Sequence, residues 1–152
     1  MNAPLGMALQ KIKHYCAYQE RCHAEVRDKL YSFGLHKNEV EQLLTQLIEE
    51  NFLNEERFSI AYAGGKFRMK QWGKEKIKYA LKQKKVSDYN IRKALASINN
   101  ADYRKTFISV AGKKLKTLRS EKNIFIKKQK IKTFLQQRGF EIKVINEYLK
   151  EV

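Results

Sequence analysis

Four side chains able to grip a metal fall close together near the start of the chain: His14, Cys16, Cys22 and His23. A structural zinc site needs four ligands converging tetrahedrally, usually from closely spaced pairs on loops. Cys22 and His23 are adjacent, and adjacent side chains on a helix point about 100° apart. Buried cysteines beside surface histidines are the better reading, so no metal or cofactor is assigned. Gly64-Gly65-Lys66 resembles a phosphate loop in composition only. No Ser or Thr follows the lysine, and no strand pattern precedes it. Two small residues at that place suit the close approach of another helix, or a kink. Acid–base chemistry needs carboxylates or histidines that meet in a pocket. Asp28, Asp88, Asp102 and the three histidines are scattered among helical patterns, and the glutamates sit mostly in first turns or on outward faces. The expectation is a protein with no catalytic residues and no small-molecule substrate, not an enzyme.

The remaining chemistry is charge. The chain has 152 residues and a net charge of +16. Residues 1–63 carry 7 Lys/Arg against 9 Asp/Glu, whereas residues 64–152 carry 25 against 7, so the two stretches are −2 and +18. Such a field attracts polyanions, nucleic acid above all, or an acidic protein surface. A merely solvated lysine-rich surface is the bland alternative. The candidate nucleic-acid-facing set is Lys66, Arg68, Lys70, Lys74, Lys78, Lys82, Lys113, Lys114, Lys116, Lys127, Lys128 and Lys132. Long cations on rigid helices suit phosphate contacts, which give affinity without sequence information. Trp72, Tyr79 and Phe125 could stack on bases, although each could equally be core or rim packing. No helix rich in Asn, Gln and Arg offers itself for reading base edges.

The elements that position these residues are helices. With 43% hydrophobic residues, one proline and seven glycines, the chain can bury a core but lacks the turn residues of a β-rich fold. Apolar spacing predicts helices over about 7–18, 22–33 and 37–50, with Met1 to Met7 as a short flexible lead. Gly34 stops the second helix in a left-handed cap. A longer helix follows from Glu55 to Met69, N-capped by Asn54, with Phe58, Ala61, Tyr62, Gly65, Met69 and Trp72 on its inner face. Another runs over about 101–118. Ser87 and Ser120 are expected N-caps of later helices. A shift of 51 residues carries Val26, Leu30, Leu35, Val40, Leu43, Leu44 and Leu47 onto Ile77, Leu81, Val86, Ile91, Ala94, Leu95 and Ile98. A further 54 reaches Ile131, Leu135, Phe140, Ile145, Tyr148, Leu149 and Val152. The fold class expected is therefore all-α, with three tandem three-helix repeats (1–51, 52–99 and 100–152) in an elongated curved array. In the two later repeats the middle helix carries a lysine stripe: Lys74, Lys78 and Lys82, then Lys128 and Lys132. No apolar run approaches membrane-spanning length and no signal-peptide core opens the chain, so the cytoplasm is expected, and a monomer is expected because no long apolar stripe is left over.

The stretch from Asn51 to Leu81 resembles the RecX family, bacterial modulators of the RecA recombinase. That family couples an R-x-x-S/x-x-E-L-like helix and a glycine to a G-Y-L-D-D-E-R-F-A-x-x-Y segment, then a glycine before a basic helix. The matching residues are Arg21, Glu25, Leu30, Gly34, Phe52, Leu53, Asn54, Glu55, Glu56, Arg57, Phe58, Tyr62, Gly73, Ile77 and Leu81. Val26, Asn51, Asn54 and Ser59 depart from the usual leucine, glycine, aspartate and alanine, and Lys84-Lys85 stands where the family has Lys-Gly. The resemblance implies a partner, the RecA filament on single-stranded DNA, with double-stranded DNA a further candidate. It implies a regulator of recombination, DNA repair and the SOS response, chiefly an inhibitor, with no catalytic centre and no cofactor. The alternative is a general nucleic-acid-binding helical protein with no RecA partner.

Overall fold

Where each helix begins and ends is decided by a few side chains and by four kinds of residue at the left-handed stops. In the computed structural model, which describes residues 3–152, the elements are α1 (Ala3–Tyr18), α2 (His23–Ser32), α3 (Lys37–Glu49), α4 (Glu55–Lys70), α5 (Lys74–Gln83), α6 (Asp88–Ala96), α7 (Asn100–Thr117), α8 (Ile124–Gln137) and α9 (Ile142–Leu149). No strand occurs among the described residues. The expected flexible lead is corrected: Met1 and Asn2 lie outside the described residues, but helix runs from Ala3. Pro4 is tolerated in a first turn because its missing N–H has no intrahelical acceptor there, and Leu5 joins Ala8, Ile12 and Cys16 in the core.

The N-caps fall where capping oxygens are available. The Asn54 side chain accepts from the Arg57 N–H at 2.9 Å, and Ser87 Oγ accepts from Asn90 N at 3.2 Å. Ser120 is not a cap, contrary to expectation. Asn123 takes that role, accepting from the N–H groups of Phe125 and Ile126, and Ser120 lies in the preceding turn. Gly34, Lys85 and Gly139 occupy one position of the repeat, and all three have positive φ (82°, 62° and 95°). Asn51 and Gln71 take the same conformation after α3 and α4. At Lys85 and Gly139 the next residue, Val86 or Phe140, closes the turn by donating to the carbonyl five back, on Leu81 or Leu135, each at 3.1 Å. The cap at Lys84-Lys85 is thus of the same kind as its glycine counterparts.

The helices gather into two compact units: residues 1–62 with 81–94, and residues 63–80 with 95–152. Helices α4, α5 and α6 each contribute to both. Unit 1 has an aliphatic core of Leu5, Ile12, Val26, Leu30, Val40, Leu43, Leu44, Leu47 and Leu53, bordered by Tyr15, Phe33 and Phe52. Unit 2 is built around rings. Phe67 meets Tyr103 (5.7 Å between centroids), Tyr103 meets Phe140 (5.7 Å), and Phe107 packs edge-on to Phe140 (5.1 Å) and Tyr148 (5.6 Å).

The inner face of α4 differs from expectation. Phe58 is buried, but from there the buried line runs through Ser59, Ala63, Gly64 and Phe67, while Ala61 and Met69 face solvent and Tyr62, Gly65 and Trp72 are half-buried. Apolar residues occur on both sides of this helix, so periodicity cannot choose between them. Burial of Ser59 is offset by its hydroxyl, which donates to the Glu55 carbonyl at 2.7 Å.

Candidate nucleic-acid interface

The basic helix α5 has no capping side chain at its N-terminus, since Gly73 precedes it. Its first donors are satisfied from other parts of unit 2. Gly73 N donates to the Arg138 carbonyl (2.8 Å), Lys74 N to the Tyr103 hydroxyl (2.9 Å), and Glu75 N to the Gly139 carbonyl (2.9 Å). Tyr103 in turn donates to the Glu141 carboxylate. Burial, followed by this hydrogen bond, pushes the phenol far above its ordinary pKa, so it stays a donor throughout the neutral range. Both glycines are obligatory here. A Cβ on Gly73 would strike the backbone of Gly139 and Phe140, and one on Gly139 would strike Lys76. Gly73 therefore does more than end α4: it lets α5 meet the α8–α9 turn at backbone distance.

On this frame the candidate cations fall unequally. Lys66, Arg68, Lys70, Lys74, Lys78, Lys113, Lys114, Lys116, Lys127, Lys128 and Lys132 belong to unit 2, and Lys82 to unit 1. Unit 2 carries 20 Lys/Arg against 6 Asp/Glu, a net +14; unit 1 carries 12 against 10, a net +2. Six carboxylates cannot neutralise twenty cations. Among the described residues five ion pairs lie in unit 1 and one, Lys130–Glu121, in unit 2.

The twelve differ in exposure. Arg68, Lys70, Lys82, Lys113 and Lys116 are exposed, and the others are half-buried along their stems. Three ammonium groups rest over rings: Lys66 over Trp72 (5.1 Å), Lys74 over Tyr103 (4.9 Å) and Lys114 over Phe134 (5.0 Å). Lys74 is thus tied to the α5 docking, and the lysine stripe on that helix is less uniform than its spacing suggests. Trp72 is half-buried between Lys66 and Lys76, whereas Tyr79 and Phe125 stand out into solvent. Sequence reasoning passed over Lys122 and Lys130, which flank Phe125. The available signal was a window: residues 122–140 hold six Lys/Arg and no carboxylate.

The cysteines and histidines do not assemble a ligand set. Among the described residues no three His, Cys, Asp or Glu side chains form a group that could hold a metal. Cys16 and Cys22 are buried and their thiols are pushed up to about 11, chiefly by that burial. Cys22 precedes α2, and Glu25 accepts from both its N–H and its thiol.

Two descriptions of RecX fit successive parts of the chain, its second three-helix domain over residues 54–95 and its third over residues 101–149. The regulatory protein RecX of Chlorobaculum tepidum is 34% identical over 129 residues, covering 85% of this chain and 78% of its own. The chain belongs to the RecX family. The regulatory protein RecX of Clostridium perfringens (strain 13) is 31% identical over 129 residues, or 84% of this chain but 60% of that protein, so this chain spans about three-fifths of its length. The crystal structure of RecX from Lactobacillus salivarius superposes with a TM-score of 0.85 at 24% identity over 98% of each chain, a likeness of fold. The Chlorobaculum and Clostridium relatives bear the name of a regulatory protein rather than of an enzyme. No helix among the described residues is long and apolar enough to cross a membrane.

The residues carrying the RecX pattern hold the frame together. Leu30, Leu53, Phe58, Ile77 and Leu81 are buried. Arg21 lies 3.8 Å over the Tyr15 ring and donates to the Tyr15 carbonyl. Arg57 pairs with Glu20 and donates to the Asn51 carbonyl, Glu25 pairs with Lys84, and Glu56 with Lys93. Tyr62 packs on Phe58, while Gly34 and Gly73 serve the turns described above.

Proposed function

We propose that this protein binds RecA–single-stranded DNA filaments in the cytoplasm as a monomer and restrains the recombinase during DNA repair and recombination. Three-helix repeats over 1–51, 52–99 and 100–152 would be its building units. The observation that carries this reading is the placement of charge in a RecX-family chain: unit 2, at +14, is suited to the negative potential of a nucleoprotein filament. Charge supplies encounter rate and salt sensitivity, while repeated protein contacts along the filament supply specificity. Unit 1, close to neutral, is suited to protein contact or packing. Double-stranded DNA is a secondary ligand of the same cations.

The test is RecA-catalysed strand exchange and ATP hydrolysis with sub-stoichiometric amounts of this protein. Inhibition at ratios well below one per RecA is expected, and unaltered RecA activity with filament binding absent overturns the reading. The same charge supports a second reading, a general nucleic-acid-binding protein. Bare-DNA affinity indifferent to added RecA would favour it.

A further inference from the structure

The first turn of α8 presents three successive apolar residues to solvent. Phe125 is 81% exposed, and Ile124 and Ile126 on either side are also exposed. A Phe ring with no hydroxyl loses free energy in water unless something covers it. The presentation is rigid, because Asn123 caps the helix through the N–H groups of Phe125 and Ile126 themselves, at 3.0 and 3.2 Å. The turn's neighbours along the chain are cationic. Lys122 precedes the cap, Lys127, Lys128, Lys130 and Lys132 follow, and no carboxylate occurs from 122 to 140. Glu121, just before, is paired with Lys130 at 3.7 Å.

We propose that Phe125, with Ile124 and Ile126 as an apolar collar, is a stacking platform for an unpaired base of single-stranded nucleic acid whose phosphates lie along the neighbouring lysines. A protein partner would have to bring an apolar spot inside an acidic rim. A single strand offers the required alternation in every nucleotide: a π-face to lie on the ring and an anion for the ammonium groups. Base-paired DNA keeps its bases stacked on each other, so the platform selects single strands. Exposed rings of unit 1, such as Tyr18, sit in a unit of nearly balanced charge, where carboxylates such as Glu20 accompany the cations. The inference rests on the proposed function only in taking nucleic acid as the partner; it adds the contact that distinguishes single from double strands.

The experiment uses the whole chain and fluorescein-labelled oligodeoxythymidylate at low salt, with binding to RecA filaments measured in parallel. Phe125→Ala should weaken oligonucleotide binding by about 5- to 100-fold with an unchanged salt slope, because no phosphate contact is removed. Phe125→Trp should retain the affinity, and its added emission should be quenched on binding. Circular dichroism should report the parental melting of both variants, as expected for so exposed a side chain. Parental affinity in Phe125→Ala, or a parent chain that ignores the oligonucleotide, overturns the platform. So does a Phe125→Ala variant that loses the filament while holding bare oligonucleotide, since the patch is then a protein contact. Oligonucleotide binding that depends on Phe125 in a chain indifferent to RecA supports the platform and overturns the regulatory reading.

Discussion

Units 1 and 2 are built from the same kind of helix, closed by the same kind of turn, yet they solve different problems. Unit 1 packs leucine, isoleucine and valine in its core and pairs its surface charges, with five ion pairs among the described residues and a net +2. Unit 2 packs rings on rings, docks α5 against the α8–α9 turn through two glycines, and carries +14 against six carboxylates. The residues that mark the family lie mostly in unit 1 and its α4–α5 border, where they cap and pack. The cations that could meet a polyanion lie almost entirely in unit 2. A family pattern can thus report the frame while the proposed binding surface rests on a charge distribution that no single motif captures.

The sharpest contrast between the units concerns their glycines. Gly34 and Gly139 share the left-handed conformation, but a Cβ at Gly34 meets open space and one at Gly139 collides with Lys76. Gly139→Ala should therefore combine backbone strain with overpacking, costing about 2–4 kcal/mol, whereas Gly34→Ala should cost only about 1 kcal/mol. Urea denaturation followed by circular dichroism measures both. Equal losses would mean that the α5 docking contributes nothing special.

Charge reversal probes the surface in the same paired way. Lys70, Lys113 and Lys116 to Glu in unit 2 should weaken single-stranded DNA or filament binding by about 10- to 100-fold and flatten the salt dependence, each lost phosphate contact removing about 0.7 from the log–log slope. All three side chains are exposed, so helicity should be retained. Reversing the exposed Lys11, Lys29 and Lys37 of unit 1 should change affinity only a few-fold through long-range charge. Similar losses from both triples would show that net charge acts without regard to place.

Much of this architecture is legible in the order of the amino acids alone. Apolar spacing locates the helices, Asn54 and Ser87 mark two starts, and the repeat register matches Gly34 with Gly139, whereas the left-handed turn at Lys85 is not signalled by its residue type. The charge asymmetry is visible by counting. What escapes has a common cause. On α4 the choice of inner face depends on what packs there, because Ile60, Ala61 and Met69 give the outer face apolar residues too. Ser120 and Asn123 are equivalent capping chemistries three residues apart, and only the path of the turn selects Asn123. The tie from Lys74 to Tyr103 and on to Glu141 joins positions 29 and 38 residues apart, beyond the reach of local pattern. The proposed interface is less legible still, since spacing places a lysine on a helix but cannot say that Lys74 will rest on a ring.

That tie supplies a smaller effect. Tyr103→Phe keeps the ring ladder of unit 2 and removes only the hydroxyl that accepts from Lys74 N and donates to Glu141. A loss of about 1–2 kcal/mol is expected, for a half-buried carboxylate that loses a donor and an unmet N–H. The amide of Lys74 should then exchange with solvent faster than its neighbours in hydrogen-exchange measurements. Unchanged exchange there would assign the start of α5 to local helix propensity instead.

The smallest effect has the opposite sign. Lys85 holds φ +62° in unit 1, at the position that glycine fills in Gly34 and Gly139, and its side chain is exposed. A left-handed L-residue costs about 1–2 kcal/mol, while glycine adds back about 0.5–1 kcal/mol through the freedom it gives the unfolded chain. Lys85→Gly should therefore stabilise the protein by about 0.5–1 kcal/mol, at the expense of one positive charge outside the strongly basic unit. Its urea midpoint should rise and its affinity for single-stranded DNA should hardly move. A fall in the midpoint would mean that the lysine stem contributes packing worth more than the strain it bears, and the three turns would then share a conformation without sharing an energetic reason for it.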